Sequence, residues 1–144
     1  TYYHNTFSNI PNAFIRDEPS IQISDFLPIS QTEVLVGDLR IEAINNIIWG
    51  GLEEELLVAL QVGGDVDIRN NVIRSEIDWL DTDNFVSTER NFPGFNSLNG
   101  RDFSLDSLAF ARDKGKDVGV MFDFLEIPRD ANPDLGALER VDNE

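Results

Sequence analysis

The sequence predicts an all-β chain wound as a parallel β-solenoid of about three coils, and three observations carry that expectation. A nine-residue pattern recurs in the first half of the chain. Short apolar stretches bounded by Gly, Asn or Asp stand where a helical period would otherwise run. An Asn returns at one fixed place in each repeat, between two such stretches.

The repeat is read by laying the chain against itself. Ile41-Glu42-Ala43-Ile44-Asn45-Asn46-Ile47-Ile48-Trp49 lies over Val66-Asp67-Ile68-Arg69-Asn70-Asn71-Val72-Ile73-Arg74 at an offset of 25, the separation of Asn46 and Asn71. Tyr2-Tyr3-His4-Asn5-Thr6-Phe7 lies over residues 43–48 at an offset of 41. Asn5, Asn46 and Asn71 share one column, Phe7, Ile48 and Ile73 a second, and Tyr2, Ala43 and Ile68 a third. Asn tolerates the left-handed backbone region, and its amide both donates and accepts. Stacked at strand spacing, about 4.8 Å, such amides form a structural ladder at a shared corner. The apolar columns beside it stack inward, because one coil cannot bury its apolar face alone. An Asn-rich chain also places Asn-Asn pairs by coincidence, but agreement in polarity across several columns argues against that.

The elements follow in order. Val34-Leu35-Val36, Leu39-Arg40-Ile41-Glu42-Ala43 and Val66-Asp67-Ile68-Arg69 read as strands. Residues 52–60 read as a helical turn, and their right half, 56–62, equally as a buried strand. Residues 16–31 contain Pro19 and Pro28 and read as an inserted loop. Removing that loop shrinks the first interval to one ordinary repeat of roughly 20–30 residues. Beyond Ser75 the pattern is irregular, yet Trp79, Phe85, Phe92, Phe95, Phe103 and Phe110 supply enough aromatic surface to pack as a cap. One domain results, with coils over 1–75 and a capping segment over 76–144.

Composition narrows the function classes. With 144 residues, 41% hydrophobic and 26% charged, the chain is one folded domain. Eleven Lys and Arg against 27 Asp and Glu give a net charge of −16, which repels phosphate backbones and anionic lipid. Nucleic acid is therefore not an expected partner. Membrane insertion is not expected either, since no apolar run approaches the ~20 residues a span requires. The absence of Cys excludes disulfides, thiolate catalysis and Cys-ligated metal, and the single His4 excludes a multi-His zinc site. The chain opens at Thr1 with neither Met nor a signal peptide, as a processed or excised piece would.

The segments Tyr3-His4-Asn5-Thr6-Phe7, Ile44-Asn45-Asn46-Ile47-Ile48-Trp49-Gly50 and Ile68-Arg69-Asn70-Asn71-Val72-Ile73 resemble coils of right-handed parallel β-helix proteins of the pectate-lyase-like superfamily. The stretch from Phe103 through Leu105-Asp106-Ser107-Leu108-Ala109 to Asp113-Lys114-Gly115 is similar to a Leu, Ser-Pro-Ala, Asp-x-Gly run in secreted bacterial members. Asp123, Pro128-Arg129 and Asn132-Pro133-Asp134-Leu135-Gly136-Ala137-Leu138-Glu139 resemble their closing signature. Leu108 replaces the usual Pro, and Glu126 stands where Gly is common, so the turns there are expected to differ. The resemblance implies the C-terminal coils and closing segment of a longer, secreted or cell-surface β-helix protein. It also implies an exposed N-terminal coil open to pairing with another chain, self-association included, unless the preceding coils are present.

For function, the resemblance implies a non-catalytic β-helix and cap region associated with carbohydrate. The alternatives are part of a polysaccharide lyase or glycoside hydrolase acting on acidic polysaccharide, or a calcium-dependent adhesion module. Lyases of this superfamily pair calcium-binding carboxylates with an Arg or Lys base in β-elimination. Outward positions offer Arg40, Glu42, Asp65, Asp67, Arg69 and Arg74, although any solvated strand face alternates in this way. Trp49, Arg69 and Arg74 are the candidate carbohydrate contacts, with Trp49 in a variable outer position beside Ser8 and Arg74. Asp78, Asp81 and Asp83 form the densest oxygen cluster and the candidate calcium site, yet without the Gly and distal Glu of an EF-hand. Glu53-Glu54-Glu55 reads as a solvated turn. His4 reads as a stacked turn residue, and Arg129 with Asp134 as a fastening of the tail.

Overall fold

The computed structural model describes residues 1–9, 16–77, 80 and 82–141. Among these residues no α-helix forms and the chain is all-β. A first pass runs through β1 (Tyr2–Tyr3), β2 (Thr6–Asn9) and β3 (Ile21–Ser24), followed by the hairpin strands β4 (Phe26–Pro28) and β5 (Val34–Val36). A second pass repeats the order with β6 (Arg40–Ile44), β7 (Ile47–Gly50) and β8 (Leu56–Ala59). A third supplies β9 (Asp65–Arg69) and β10 (Val72–Arg74), then β11 (Phe85–Ser87). The antiparallel pair β12 (Phe95–Ser97) and β13 (Asp102–Leu105) opens the tail.

Strands from successive passes pair in parallel, in the orders β1-β6-β9, β2-β7-β10-β11 and β3-β8. Tyr2 pairs with Ala43 and Ala43 with Ile68; Phe7 pairs with Ile48 and Ile48 with Ile73. The first two sheets thus keep common offsets of 41 and then 25. In the third sheet Ile21 pairs with Leu56, an offset of 35. Six of the sixteen additional residues in the first pass therefore precede β3 and ten follow it, where the β4–β5 hairpin sits.

That corrects the reading of 16–31 as an inserted loop. The segment holds β3, whose Ile21-Gln22-Ile23-Ser24 alternation sends Ile23 into the core; the flanking prolines mask it in the sequence. Residues 52–60 contain no helix, and Leu56–Ala59 pairs as a strand.

Two apolar layers follow from β7, in which every residue is buried. Ile48 and Ile73 point inward with Ala43, Ile68, Leu56 and Leu80. Ile47, Trp49 and Val72 point to the opposite side and meet Phe95, Leu105, Ala109, Ala111 and Leu135 of the tail. A strand covered on both faces reads as a continuous apolar run, which is what Ile47-Ile48-Trp49 is. The tail therefore covers the outer face of the β7–β10 sheet, rather than acting only as a lid over the end of the stack. Its aromatics interlock: Phe110 stacks on Phe92 with centroids 4.3 Å apart and meets Phe85 edge-on at 5.2 Å. Full burial of such a side chain is worth about 1.5–3 kcal/mol, and these half-buried rings each contribute part of it.

Candidate functional site

Each pass turns its first corner through a residue in the left-handed region: His4 at φ 52°, Asn45 at 62° and Asn70 at 54°. Asn is among the few residues that accept this conformation cheaply. The next residue in each pass is a ladder Asn. Asn46 Oδ1 accepts from the Asn5 amide nitrogen at 3.1 Å and its backbone N–H at 2.9 Å. Asn71 Oδ1 accepts from the Asn46 side chain and backbone, both at 2.8 Å. Asn84 Oδ1 receives the same pair from Asn71 at 2.8 and 3.1 Å. Asn84 is thus a fourth rung. It escapes the repeat alignment because it lies 13 residues from Asn71. The signal was local, since Asn84-Phe85-Val86 mirrors Asn71-Val72-Ile73.

A second column runs through the corner residues themselves. Asn70 donates to Asn45 Oδ1 at 2.7 Å, and Asn45 Nδ2 meets His4 Nε2 at 2.8 Å. The Asn45 amide can only donate there, so Nε2 accepts and Nδ1 carries the proton, which it gives to the Asp134 carbonyl at 3.1 Å. Burial, reinforced by the Arg129 charge, lowers the His4 pKa to about 4, so the ring is neutral at pH 7.

The tail is fastened along this column. Asn45 exchanges both amide bonds with the Lys116 backbone, at 2.7 and 3.0 Å. Arg129 pairs with the Glu139 carboxylate at 2.8 Å and donates to the Asp134 backbone carbonyl at 3.1 Å. Asp134 accepts the backbone N–H groups of Asp113 and Arg140. Desolvation raises the pKa of both Asp134 and Glu139. Gly136, at φ 89°, presses onto the first pass, where a Cβ would lie 2.6 Å from Thr6 Oγ1. Glu126 adopts φ 65°, so the position where Gly is common keeps the left-handed turn with a side chain in place.

The polar candidates lie on the outer face of β1-β6-β9. Arg40 bridges to Asp65 at 3.3 Å across the strands. Glu42 and Asp67 stand directly opposite each other, a like-charge pair, and Arg69 bridges them at 3.9 and 2.9 Å. Tyr3 donates its hydroxyl to Glu42 at 2.5 Å. The hydrogen bond to Asp67 raises the Arg69 pKa still further. A polar depression of about 320 Å³ lies here, lined by Thr1, Arg40, Glu42, Asp65 and Asp67.

Trp49 is not available to a sugar. It is fully buried, donates its indole N–H to Arg90 O at 3.1 Å and stacks on Phe92. Its outer position is real, but the tail covers that side of the sheet. Arg74 is half-buried beside Trp49, 5.9 Å from the ring centroid, and donates to Gly50 O at 2.7 Å. Arg69 belongs to a different sheet, so the three carbohydrate candidates do not form one surface.

Asp78, Asp81 and Trp79 lie outside the described residues. Asp83 is exposed, and its carbonyl accepts the Asn70 N–H at 2.6 Å. Among the described residues, no three carboxylate or His side chains gather as a metal site. Glu55 departs from its expected solvated turn. It is fully buried, paired bidentately with Arg16 at 2.5 and 2.8 Å, and accepts from Ser20 and the Leu52 N–H. Gly50 makes room for it, since a Cβ there would strike the Glu55 carboxylate and lie 2.8 Å from Asn9 O.

No family model matches the sequence, and no curated protein or solved structure matches it either.

Proposed function

We propose that the chain is a non-catalytic segment of a right-handed parallel β-helix, the terminal coils and closing tail of a secreted or cell-surface protein. The single observation that carries this reading is the common pair of offsets, 41 and 25, in two parallel sheets joined at a corner of stacked amides. Resemblance to the pectate-lyase-like coils and closing signature supports the superfamily and the extracellular setting. The non-catalytic part is supported by the engagement of Arg69 with both Asp67 and Glu42.

The winding is tested with cysteine pairs, for which a Cys-free chain is a clean background. Parallel neighbours sit about 5 Å apart at Cα, within disulfide range. Arg40→Cys with Asp65→Cys is in register and forms a disulfide on mild oxidation. Arg40→Cys with Asp67→Cys is two residues out and stays reduced. Cross-linking with the reverse preference refutes the winding.

The polar depression beside Arg40 and Asp65 favours a second reading, contact with a carbohydrate on that face. Retarded migration in gels cast with neutral or uronic polysaccharide, abolished by Arg69→Ala, would support it. Release of unsaturated product from polyuronate would instead overturn the non-catalytic reading.

A further inference from the structure

Residues 112–141, the closing segment, are held to the coils by hydrogen bonds more than by burial. Among the described residues the segment contains no strand, and Leu135 alone of its side chains joins the apolar clusters. Met121, Phe122, Phe124 and Leu125 stay exposed. The aromatic cover of β7 and β10 comes from residues ahead of it, Phe92 to Phe110.

The segment is joined to the coils at the Asn45 corner, where every polar atom is committed. Asn45 Oδ1 receives the Asn70 amide at 2.7 Å and the Lys116 N–H at 3.0 Å. Its two amide hydrogens go to Lys116 O at 2.7 Å and to His4 Nε2 at 2.8 Å. Turning the amide over would set oxygen against Lys116 O and nitrogen against the Lys116 N–H, so the nitrogen stays toward His4. His4 Nδ1 is committed to Asp134 O at 3.1 Å. An imidazolium donates from both ring nitrogens. A second proton therefore sets N–H against N–H across a buried 2.8 Å contact. The charged groups facing His4 come from the closing segment: Arg129, and with it Glu139 and Asp134, the last flanked by Arg112 and Asp113. The second-pass corner presents the neutral Asn45.

We propose that this joint is an acid-operated latch: uptake of a proton at His4 breaks the Asn45 contact and frees residues 112–141, while the coils and their aromatic cover stay in place. The ladder of Asn5, Asn46, Asn71 and Asn84 has no ionisable member and is indifferent to that proton. Opening uncovers the Asn45 carbonyl and the Thr6 hydroxyl, which Gly136 and Ala137 occupy in the closed state, and the seat of Leu135. The neighbouring carboxyls pull the other way. Burial raises the pKa of Asp134 and of Glu139, so the folded chain takes up their protons more readily than the unfolded one, and both favour the closed state as pH falls. In this cluster it is the His4 proton that favours opening.

His4 is the single histidine, so its ring NMR signal follows its titration directly. Hydrogen exchange of the full chain, expressed as protection relative to the unstructured rate at each pH, is read by mass spectrometry for residues 112–141 and for coil residues 40–74. With His4 at about 4 in the closed state and 6.5 in the open one, protection of the closing segment should fall about a hundredfold between pH 7 and pH 4. Residues 40–74 should not change, and the midpoint should follow the His4 signal. His4→Asn fits the left-handed corner with no proton to gain, and should keep the segment protected at pH 4. An equal loss in His4→Asn, a loss shared by residues 40–74, or titration of His4 with the segment still closed each overturns the latch. Should His4→Asn not fold at pH 7, the wild-type chain decides: opening in step with the ring signal supports the latch, and opening while the ring is neutral overturns it.

Discussion

Replacing Asn71 by alanine tests the ladder where it is most enclosed. Asn71 is fully buried: its Oδ1 accepts two bonds from Asn46, and the two hydrogens of its Nδ2 are shared among Ala43 O, Arg69 O and Asn84 Oδ1. Alanine leaves the Asn46 N–H without its acceptor and Ala43 O without this donor. The Asn84 Oδ1 keeps the Asn71 backbone N–H. One main-chain N–H stranded in the interior costs about 1–3 kcal/mol, and it is the only one, since Ala43 lies in a strand paired on both sides. A domain of this size has only about 5–15 kcal/mol in total, and each kcal/mol moves its midpoint by roughly 2–4 °C. A drop of about 4–8 °C is therefore expected at the centre of that range. Thermal unfolding followed by far-ultraviolet circular dichroism measures it, with exposed Asn96→Ala as the control at about 1 kcal/mol or less. Asn46→Ala combined with Asn71→Ala should cost less than the sum of the two, by about 0.5–3 kcal/mol, because they share bonds. If Asn71→Ala costs no more than Asn96→Ala, the stacked amides do not hold the corner and the reasoning fails.

Four other expectations follow from the geometry. The depressed His4 pKa, about 4 against an ordinary 6.5, means that the unfolded chain binds the extra proton first. The stability due to this shift is complete above pH 6.5 and is lost as pH falls from there to about 4, by roughly 3 kcal/mol. Asn fits the same left-handed corner, so the difference in unfolding free energy between wild type and His4→Asn should change across that window; a constant difference would contradict the tautomer assigned here. Glu55→Ala strands the Arg16 guanidinium and should cost about 3–5 kcal/mol in urea unfolding, with Arg16→Met plus Glu55→Leu recovering part of it. Trp49→Ala should cost about 3–5 kcal/mol, whereas exposed Arg69→Ala should stay within about 0.5 kcal/mol; equal effects would show that the tail does not cover β7. Glu126→Gly should raise the melting midpoint by relieving a left-handed backbone, a gain of about 0.5–1 kcal/mol.

The columns through Asn46 and Asn71, and those through Ile48 and Ile73, were legible because stacking in register imposes a long-range periodicity that the chain displays directly. β3 was not, because Pro19 and Pro28 flank a strand only four residues long. The burial of Trp49 was hidden for another reason. Alignment fixes which side of a strand a residue faces but says nothing about what later covers that side, and its cover comes from aromatics more than forty residues downstream. Glu55 illustrates the same limit, since three consecutive Glu suggest solvent until Arg16 arrives from a distant turn. The polar face was read correctly as alternation on β6 and β9, but the opposition of Glu42 and Asp67 required the register.

The beginning and end of the described chain are tied together. His4 binds Asp134 across 130 positions, Thr6 receives the Ala137 N–H, and Asn45 receives that of Gly136. Ile47, Trp49 and Val72 therefore gain their outer cover in two instalments, first from Phe92, Phe95, Leu105, Ala109 and Ala111 and then from Leu135. Contacts so distant in sequence slow the search for the native state, so maturation should be late. Truncation at residue 88 would leave a sticky intermediate, with the outer side of β7 and β10 stripped of its aromatic cover.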